Sequence, residues 1–430
     1  MRALFRRWQA IVLWRRVLVG LAGGVLLGLL WPSAAPYIAF IGEIFLRLIR
    51  MLVVPIVFVA IISGVTALAD PQRLGSVGVR TIGLFAATTA CAVSIGIVTA
   101  LLVQPGVGAP IGSGEAYPLG EPTSLYDQLV GIVPVNIVEA LVAGDMLAII
   151  FFAMAFGCAV VLAGEEGRPV ARMLQSIARV LFRLVGLVME LTPFGVFALM
   201  ATAVAQNGVA VFANVGLLAL AVVIGVLVQI VLVHVPLIVL VARRPLGRFY
   251  RAALDALAVA LATASSAATL PVALRVAIEK MKIDRGVAST VLPIGASIGK
   301  DGTAMYVGLL SIFSLQALGV EPDAAMLLMV LLTGALAAFG TAPIPSASLF
   351  MLAAVLASVG VSPEQTALVI GFVLPFDRLL DMTRTVASAS ANLTVTACVA
   401  RWEGGTMDES ARDRPAPPDS AELAPSSQSQ

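Results

Sequence analysis

The stretch "DALAVALATASSAATLPVALRVAIEKM", Asp255 to Met281, is apolar on both flanks, while its centre, Thr263 to Thr269, is built of Thr, Ser and Ala and is followed by Leu270 and Pro271. It is long enough to enter a bilayer, since a spanning helix takes about 20 apolar residues. Serine and threonine compete for backbone hydrogen bonds, however, and make a poor helix interior. The pattern predicts a re-entrant helical hairpin rather than a straight span. A second stretch repeats the design: "LLTGALAAFGTAPIPSASLFMLAAVLASVG", Leu331 to Gly360, is apolar at both ends and has Gly340 to Ser346, "GTAPIPS", at its centre. Each is followed by an apolar segment that carries charge, Lys300 and Asp301 after the first and "PFDRLLDMTRTVASASAN", Pro375 to Asn392, after the second. Paired, interrupted segments in corresponding positions point to an inverted-repeat transporter with its site at the bilayer midplane. Two kinked helices packed through small residues are the plain structural alternative.

Composition supplies the membrane. The chain is 60% hydrophobic and 12% charged, with a mean hydropathy of +1.01, against about 25% charged in an ordinary soluble domain. Its length leaves room for about eight to ten crossings or partial crossings. The net charge of +2 marks no partner, and nothing suggests nucleic acid. Cys91, Cys158 and Cys398 stand in apolar runs without CxxC spacing, which argues against disulfides and a zinc site. The N-terminal "MRALFRRWQAIVLWRRVLVGLAGGVLLGLLW" has no small-residue cleavage site before Trp31 and Pro32 and reads as a retained first helix. Its arginines before Val17 place the N-terminus in the cytoplasm. Arg243, Arg244, Arg248 and Arg251 belong on the same side, after an even number of spans. Those spans are predicted at 17–31, 38–68, 80–104, 126–164, 178–205 and 210–241. The tail from Trp402, polar and rich in Pro and Ser, reads as disordered and cytoplasmic.

Asp381 and Arg384 share one helical face, and Ser388 continues it. They read either as a self-neutralising buried pair or as two separate anchors, a carboxylate for an ammonium and a guanidinium fork for a carboxylate. The second reading describes a site for an acidic amino acid. Non-helical backbone at the two hairpin centres, tolerated at membrane depth where it lines a cavity, would add amide donors.

At these residues the sequence resembles the glutamate transporter family, the dicarboxylate/amino acid:cation symporters. "TASSAATLPV", "KDGTAMY", "GTAPIPSAS" and "LDMTRT" with a following "NLT" stand in that family's order and spacing, and "FLRLIRMLVVPIVF" and "GIVPVN" agree in the first half. The resemblance runs from about Val17 to Gly404. It implies an all-α fold of eight transmembrane helices plus two re-entrant hairpins in the cell's inner membrane, working as a homotrimeric elevator. Residues 1–16 would be a cytoplasmic segment and 17–241 mainly scaffold, with spans 3 and 6 contributing to the mobile part. Residues 249–401 would form the transport core and 402–430 the tail. Carried over by position, the resemblance makes Asp381 the partner of the substrate ammonium and Arg384 the partner of its side-chain carboxylate. Ser265, Ser266, Thr303, Ile344, Ser348, Thr385 and Ser388 would line the same site. The dicarboxylate branch usually lacks the aspartate seen as Asp381, so an acidic amino acid, aspartate or glutamate, is the expected substrate. A cation-coupled carrier of dicarboxylates or amino acids is the alternative.

Thr88, Thr89, Gly295, Gly299, Lys300, Asp301 and Asn392 fall at the family's coupling-cation positions and line that site or what has replaced it. Sodium-coupled members usually read Asn-Met-Asp-Gly-Thr where this chain has Gly299 to Thr303, an aspartate at Asn392, and a tyrosine at Phe85. Sodium wants several oxygen ligands, and here several have gone. Lys300 is expected to replace the ion by neutralising Asp301, leaving sodium coupling weakened or lost and sodium or a proton as the only accessory species. "GASIGK" fails as a phosphate loop, because Asp301 stands where Ser or Thr is needed. His234 reads as a packed helix residue without a metal partner. An intramembrane hydrolase pairing Asp301 with Asp381, or Ser265 with Lys300, is the remote alternative from another class. The paired hairpins and the Asp-x-x-Arg face favour a transporter over an enzyme.

Overall fold

The computed structural model describes residues 13–67, 76–109, 130–131, 133–208, 211–339 and 347–404. Among them the chain is helical throughout its regular structure. Helix α1 (Leu13–Leu30) lies along α7 (Thr192–Asn207). Gly20, Gly24 and Gly28 form the touching stripe, where added Cβ atoms would run into the backbone of Pro193, Phe197 and Ala201. Small residues four apart let backbones meet, the usual means of helix association where lipid removes the hydrophobic drive. Buried Arg16 ties the end of this pair to Glu190 at 2.6 Å.

Helix α2 (Ala35–Ala67) packs against α7, α5 (Met146–Leu162) and α6 (Arg168–Met189), and α3 (Ser76–Val103) runs beside α12 (Asp301–Ala317). The predicted fourth span, 126–164, is not one helix. Asn136 caps a short α4 (Ile137–Ala143), Gly144 leaves it with φ 73°, and Asp145 caps α5 by accepting from the Ala148 amide. The predicted fifth span, 178–205, is also broken: α6 and α7 are bent by 50° beside Pro193, which has no amide proton to continue a helix. The sixth, α8 (Val211–Gln229), continues through two π-helical turns, Ile230–His234 and Leu237–Val241, with Pro236 between them. By length and composition, three helices among the described residues could cross a membrane, Pro32–Ser63, Val77–Val103 and Phe212–Val241, and the bent pair makes a fourth.

The first interrupted stretch does turn back. Helix α9 (Leu246–Thr263) ends at Ala264 with φ 51°, and Ser265 starts α10 (Ser266–Arg275) by accepting from the Ala268 amide. The arms meet again where Lys280 Nζ lies 2.7 Å from Asp255 Oδ2. In the second, α13 (Ala324–Phe339) lies against α14 (Ala347–Ser358), with Thr333 and Ser358 hydroxyls 3.2 Å apart. The tip with Ile344 lies outside the described residues. Helix α11 (Arg285–Ile298) stops at Gly299, and α12 begins at Asp301. Helix α15 (Pro363–Trp402), started by a Ser362 and Gln365 capping box, runs unbroken past Pro375. Helices α9 to α11 share one apolar core with the second half of α15, Phe85 and Ile238. The break between α11 and α12 is thereby held against α3, α8 and α15.

Candidate functional site

The unusual Lys300 and Asp301 occupy the break itself. Lys300 follows the C-terminus of α11 and Asp301 opens α12. Each charge sits at the helix end whose dipole favours its sign. Both are buried, at 3% and 0% exposure, and a bare charge at such depth costs at least a few kcal/mol, so each needs specific partners.

On one side of the break lies the Asp381 and Arg384 face. Arg384 Nη2 is 2.9 Å from Asp381 Oδ1, and both residues are buried. Arg384 Nη1 donates to Thr303 Oγ1 at 2.9 Å, and its guanidinium carbon lies 4.8 Å from the centre of the Tyr306 ring, a cation–π contact. Tyr306 in turn donates to Asp377 at 3.0 Å. Thr385 donates to the Asp381 carbonyl at 2.7 Å and to its carboxylate at 3.3 Å. Arg384 Nε is buried without a hydrogen-bond partner. A buried guanidinium N–H left unmade is costly, and it suits an acceptor that is not part of the chain. The electrostatic neighbours of the Lys300 ammonium are Arg384 and Asp381.

The close approach of α12 and α15 makes this face possible. The Gly302 amide donates to Ser388 Oγ at 3.0 Å, and a Cβ on Gly302 would run into the Arg384 carbonyl. Gly302→Ala is therefore expected to cost about 1–3 kcal/mol of overpacking and to weaken substrate binding about tenfold or more. Thermal unfolding and a binding isotherm check it, and wild-type values in both would show that the two helices do not need this contact.

On the other side, the Asp301 carboxylate is surrounded by protein side chains. Oδ1 accepts from Thr88 at 3.1 Å and Thr89 at 3.3 Å. Oδ2 accepts from Gln229 Nε2 at 3.1 Å and lies 3.3 Å from His234 Nε2. Each carboxylate oxygen thus has two polar neighbours from the protein. The expectation that Lys300 neutralises Asp301 is corrected here: no ion pair joins them, because the helix ends turn their side chains to opposite sides of the break. Gln229 and His234 hold that place instead.

The other altered positions close the same region. Asn392, with its amide nitrogen turned toward them, reaches the Gly295 and Gly299 carbonyls at 3.2 Å each. A Cβ on Gly295 would come within 2.8 Å of the Phe85 ring, and one on Gly299 would collide with both Phe85 and Asn392. The Gly295 and Gly299 carbonyls thus face the Asn392 amide, and the Phe85 ring packs against the same two glycines.

Of the substrate residues read from the sequence, Thr303, Asp381, Arg384, Thr385 and Ser388 are brought together. No hydrogen bond joins Ser265 or Ser266 to that group. Ser266 faces a small cleft with Thr269, Ala389 and Asn392, and the hairpin tip reaches α15 through Arg378, which donates to the Thr263 carbonyl at 3.2 Å. Ser348 is buried at the start of α14 with its hydroxyl unpartnered, and Ile344 lies outside the described residues. Sequence reasoning missed Gln229, His234, Tyr306 and Ser390 as site residues. The only signal was polarity in an apolar run, which at membrane depth is itself a functional flag.

The sodium:dicarboxylate symporter family model matches residues 13–402. A proton/sodium-glutamate symport protein of Geobacillus stearothermophilus is 32% identical over 95% of this chain and 97% of its own. A proton/glutamate-aspartate symporter of Bacillus subtilis (strain 168) is 32% identical over 90% and 94%. A C4-dicarboxylate transport protein of Rhizobium leguminosarum is 32% identical over 91% and 89%. The members of such a family carry substrate and ion across a membrane and are not enzymes. With its broken helices, paired hairpins and buried Asp381 and Arg384, this chain belongs to the sodium:dicarboxylate symporter family.

Proposed function

We infer that the chain is a symporter for acidic amino acids, aspartate or glutamate, with sodium coupling weakened or lost. The observation that carries the reading is the charge set at the substrate face: Lys300 and Arg384 against Asp381, all buried. With Lys300 charged, these three groups sum to one positive charge, the buried Asp377 carboxylate being taken up by the Tyr306 hydroxyl. An acidic amino acid, with two carboxylates and one ammonium, brings one negative charge and matches it group for group. Its ammonium takes Asp381, one carboxylate takes Arg384 with its spare Nε, and the other takes Lys300. Lys300 thus stands in for a bound cation on the substrate side rather than at Asp301. A C4-dicarboxylate, the substrate in the name of the Rhizobium relative, would meet Asp381 with no ammonium and leave a buried like charge, which is costly.

The mobile unit is assigned to residues 249–401 together with parts of α3 and α8, moving against a trimeric scaffold of the other earlier helices with both termini in the cytoplasm. The Gly20, Gly24 and Gly28 seam supports a rigid scaffold, and the shared core of α9 to α11 with α15 supports one moving body. The test is aspartate affinity across a sodium series at constant ionic strength. A tethered cation adds no ion-concentration term, so affinity is expected to change by less than about twofold. A steep rise with sodium would reject the loss of sodium coupling, and a monomeric mass in a transport-competent preparation would reject the trimer.

A further inference from the structure

Helix α6, "RPVARMLQSIARVLFRLVGLVM", has no acidic residue and divides its circumference three ways. At 3.6 residues per turn, Arg168, Arg172, Arg179 and Arg183 fall within about 60° of one another. All four are exposed. A second stripe, about 110° further round, holds Met173, Ile177, Val180, Leu184 and Leu187, large apolar side chains that are exposed as well. The third face, with Leu174, Ala178, Val185 and Val188, is buried, and the helix packs on α2 and α5. An ordinary surface helix has one apolar face and one polar face. This one carries a second apolar face that the described residues do not cover.

The pair α1 and α7 fixes where α6 lies. Gly20, Gly24 and Gly28 meet Pro193, Phe197 and Ala201 in that order, so the two helices run in the same direction. Arg16, in the first turn of α1, pairs with Glu190, just before α7 begins. Their starts are therefore level. With 18 and 16 residues, α1 and α7 are about 27 and 24 Å long, close to the thickness of the hydrocarbon layer. Trp31, exposed just past the far end of α1, suits the opposite interface. These two helices take up the crossing. Helix α6 precedes α7 and meets it at a bend of 50°, so it lies at the membrane face where α1 begins, the face assigned above to the cytoplasm.

Neither water nor hydrocarbon alone suits the two exposed stripes. In water the apolar stripe would stand uncovered along the helix, and in hydrocarbon the arginines would be costly. Side by side they match the boundary between them, where headgroups and acyl chains meet. Arg168 pairs with Glu165 at 2.8 Å and Arg179 donates to Ser176 at 2.8 Å, both exposed contacts within one turn. Arg172 and Arg183 have no side-chain partner among the described residues. A guanidinium fork binds a phosphate through two parallel N–H donors.

We propose that α6 is an interfacial docking site for anionic phospholipid, its four arginines on the headgroup phosphates and the apolar stripe beside them among the acyl chains. A second copy of the chain suits this face less well. A contact of the face with itself would set arginine against arginine, with no acidic residue on α6 to offset them. Because α6 packs on α2 and α5, the bound lipid holds the part of the molecule that the reading above keeps still. The site takes no part in binding substrate, so it stands or falls apart from the choice of aspartate or glutamate.

The full-length protein, stripped of lipid in detergent, is titrated with phosphatidylglycerol or phosphatidylcholine, and bound lipid is counted by native mass spectrometry. A preference for phosphatidylglycerol of about tenfold or more is expected, since each basic residue at an anionic surface adds to it. Arg172→Gln with Arg183→Gln is expected to lose about tenfold of that preference, and Arg172→Lys with Arg183→Lys to keep most of it. Arg248→Gln with Arg251→Gln, the same charge change at other exposed positions, is expected to keep it whole. Leu184→Ser with Leu187→Ser is expected to weaken both lipids without altering the oligomeric mass. No preference in the unmutated protein, or equal preference in the two glutamine variants, overturns the site. Displacement of phosphatidylglycerol by soluble glycerol phosphate would make the arginines a site for free phosphate and overturns it too. An oligomer lost in the serine variant would make the apolar stripe a contact between copies, and lipid docking would be rejected.

Discussion

Arg384→Ala is expected to abolish measurable aspartate and glutamate binding, a loss of about 10²-fold or more. The guanidinium joins three partners on the buried face: the 2.9 Å ion pair to Asp381, the 2.9 Å hydrogen bond to Thr303 and the cation–π contact with Tyr306. Removing one partner of a buried pair costs about 3–5 kcal/mol because the other charge is stranded, and the charge set of the face falls from one positive to zero. Part of that cost appears as lower stability and part as lost affinity. Competition with neutral amino acids separates the two. A protein that still binds serine or alanine but not aspartate has kept its fold and lost its carboxylate anchor. Unchanged aspartate affinity in calorimetry would remove Arg384 from the site altogether. Arg384→Lys is not a conservative repair, since a point charge cannot hold Thr303, Asp381 and a ligand carboxylate at fixed angles.

How far the sequence carries this reading depends on whether a feature is local. Asp381 and Arg384 meet because they lie one turn apart, so their pairing was legible as soon as a helix was assumed. The reversal of α9 into α10 was legible from a Ser-rich centre in an apolar run, and Ser265 does cap the returning helix. The breaks at Asp145 and Pro193 had local signals too, a capping residue and a proline, overridden in the span reading by the long apolar runs around them. The placement of His234 was not legible. It meets Asp301 across 67 residues of sequence, and its position is set by the π-helical turns around Pro236, which shift the register of α8 by an amount no periodicity reveals. The same limit misplaced Lys300. Adjacency to Asp301 suggested a pair, whereas consecutive residues at a helix break point to different sides.

That geometry makes Lys300→Met the sharper test of the charge-matching proposal. Methionine is the residue that the resemblance gives for sodium-coupled members here, so the break between α11 and α12 should tolerate it, and Asp301 keeps its four side-chain neighbours. What changes is the substrate face: with Arg384 and Asp381 alone it is neutral, and a substrate of net charge −1 enters without compensation. Truncating one partner of a buried charge contact costs about 2–5 kcal/mol, so aspartate affinity is expected to fall about 30-fold or more. Asparagine, which lacks the second carboxylate, should lose far less, and the preference for aspartate over asparagine should shrink by nearly the same factor. Lys300→Arg should recover part of the preference, because a cation returns even if its shape differs. The measurement is a pair of binding isotherms, aspartate and asparagine, for each variant in sodium-free buffer. An equal loss for both ligands would mean that Lys300 serves the fold of the break and not the charge of the substrate. Unchanged aspartate affinity would show that its ammonium never meets the bound carboxylate, and the one-positive-charge account of the site would fail with it.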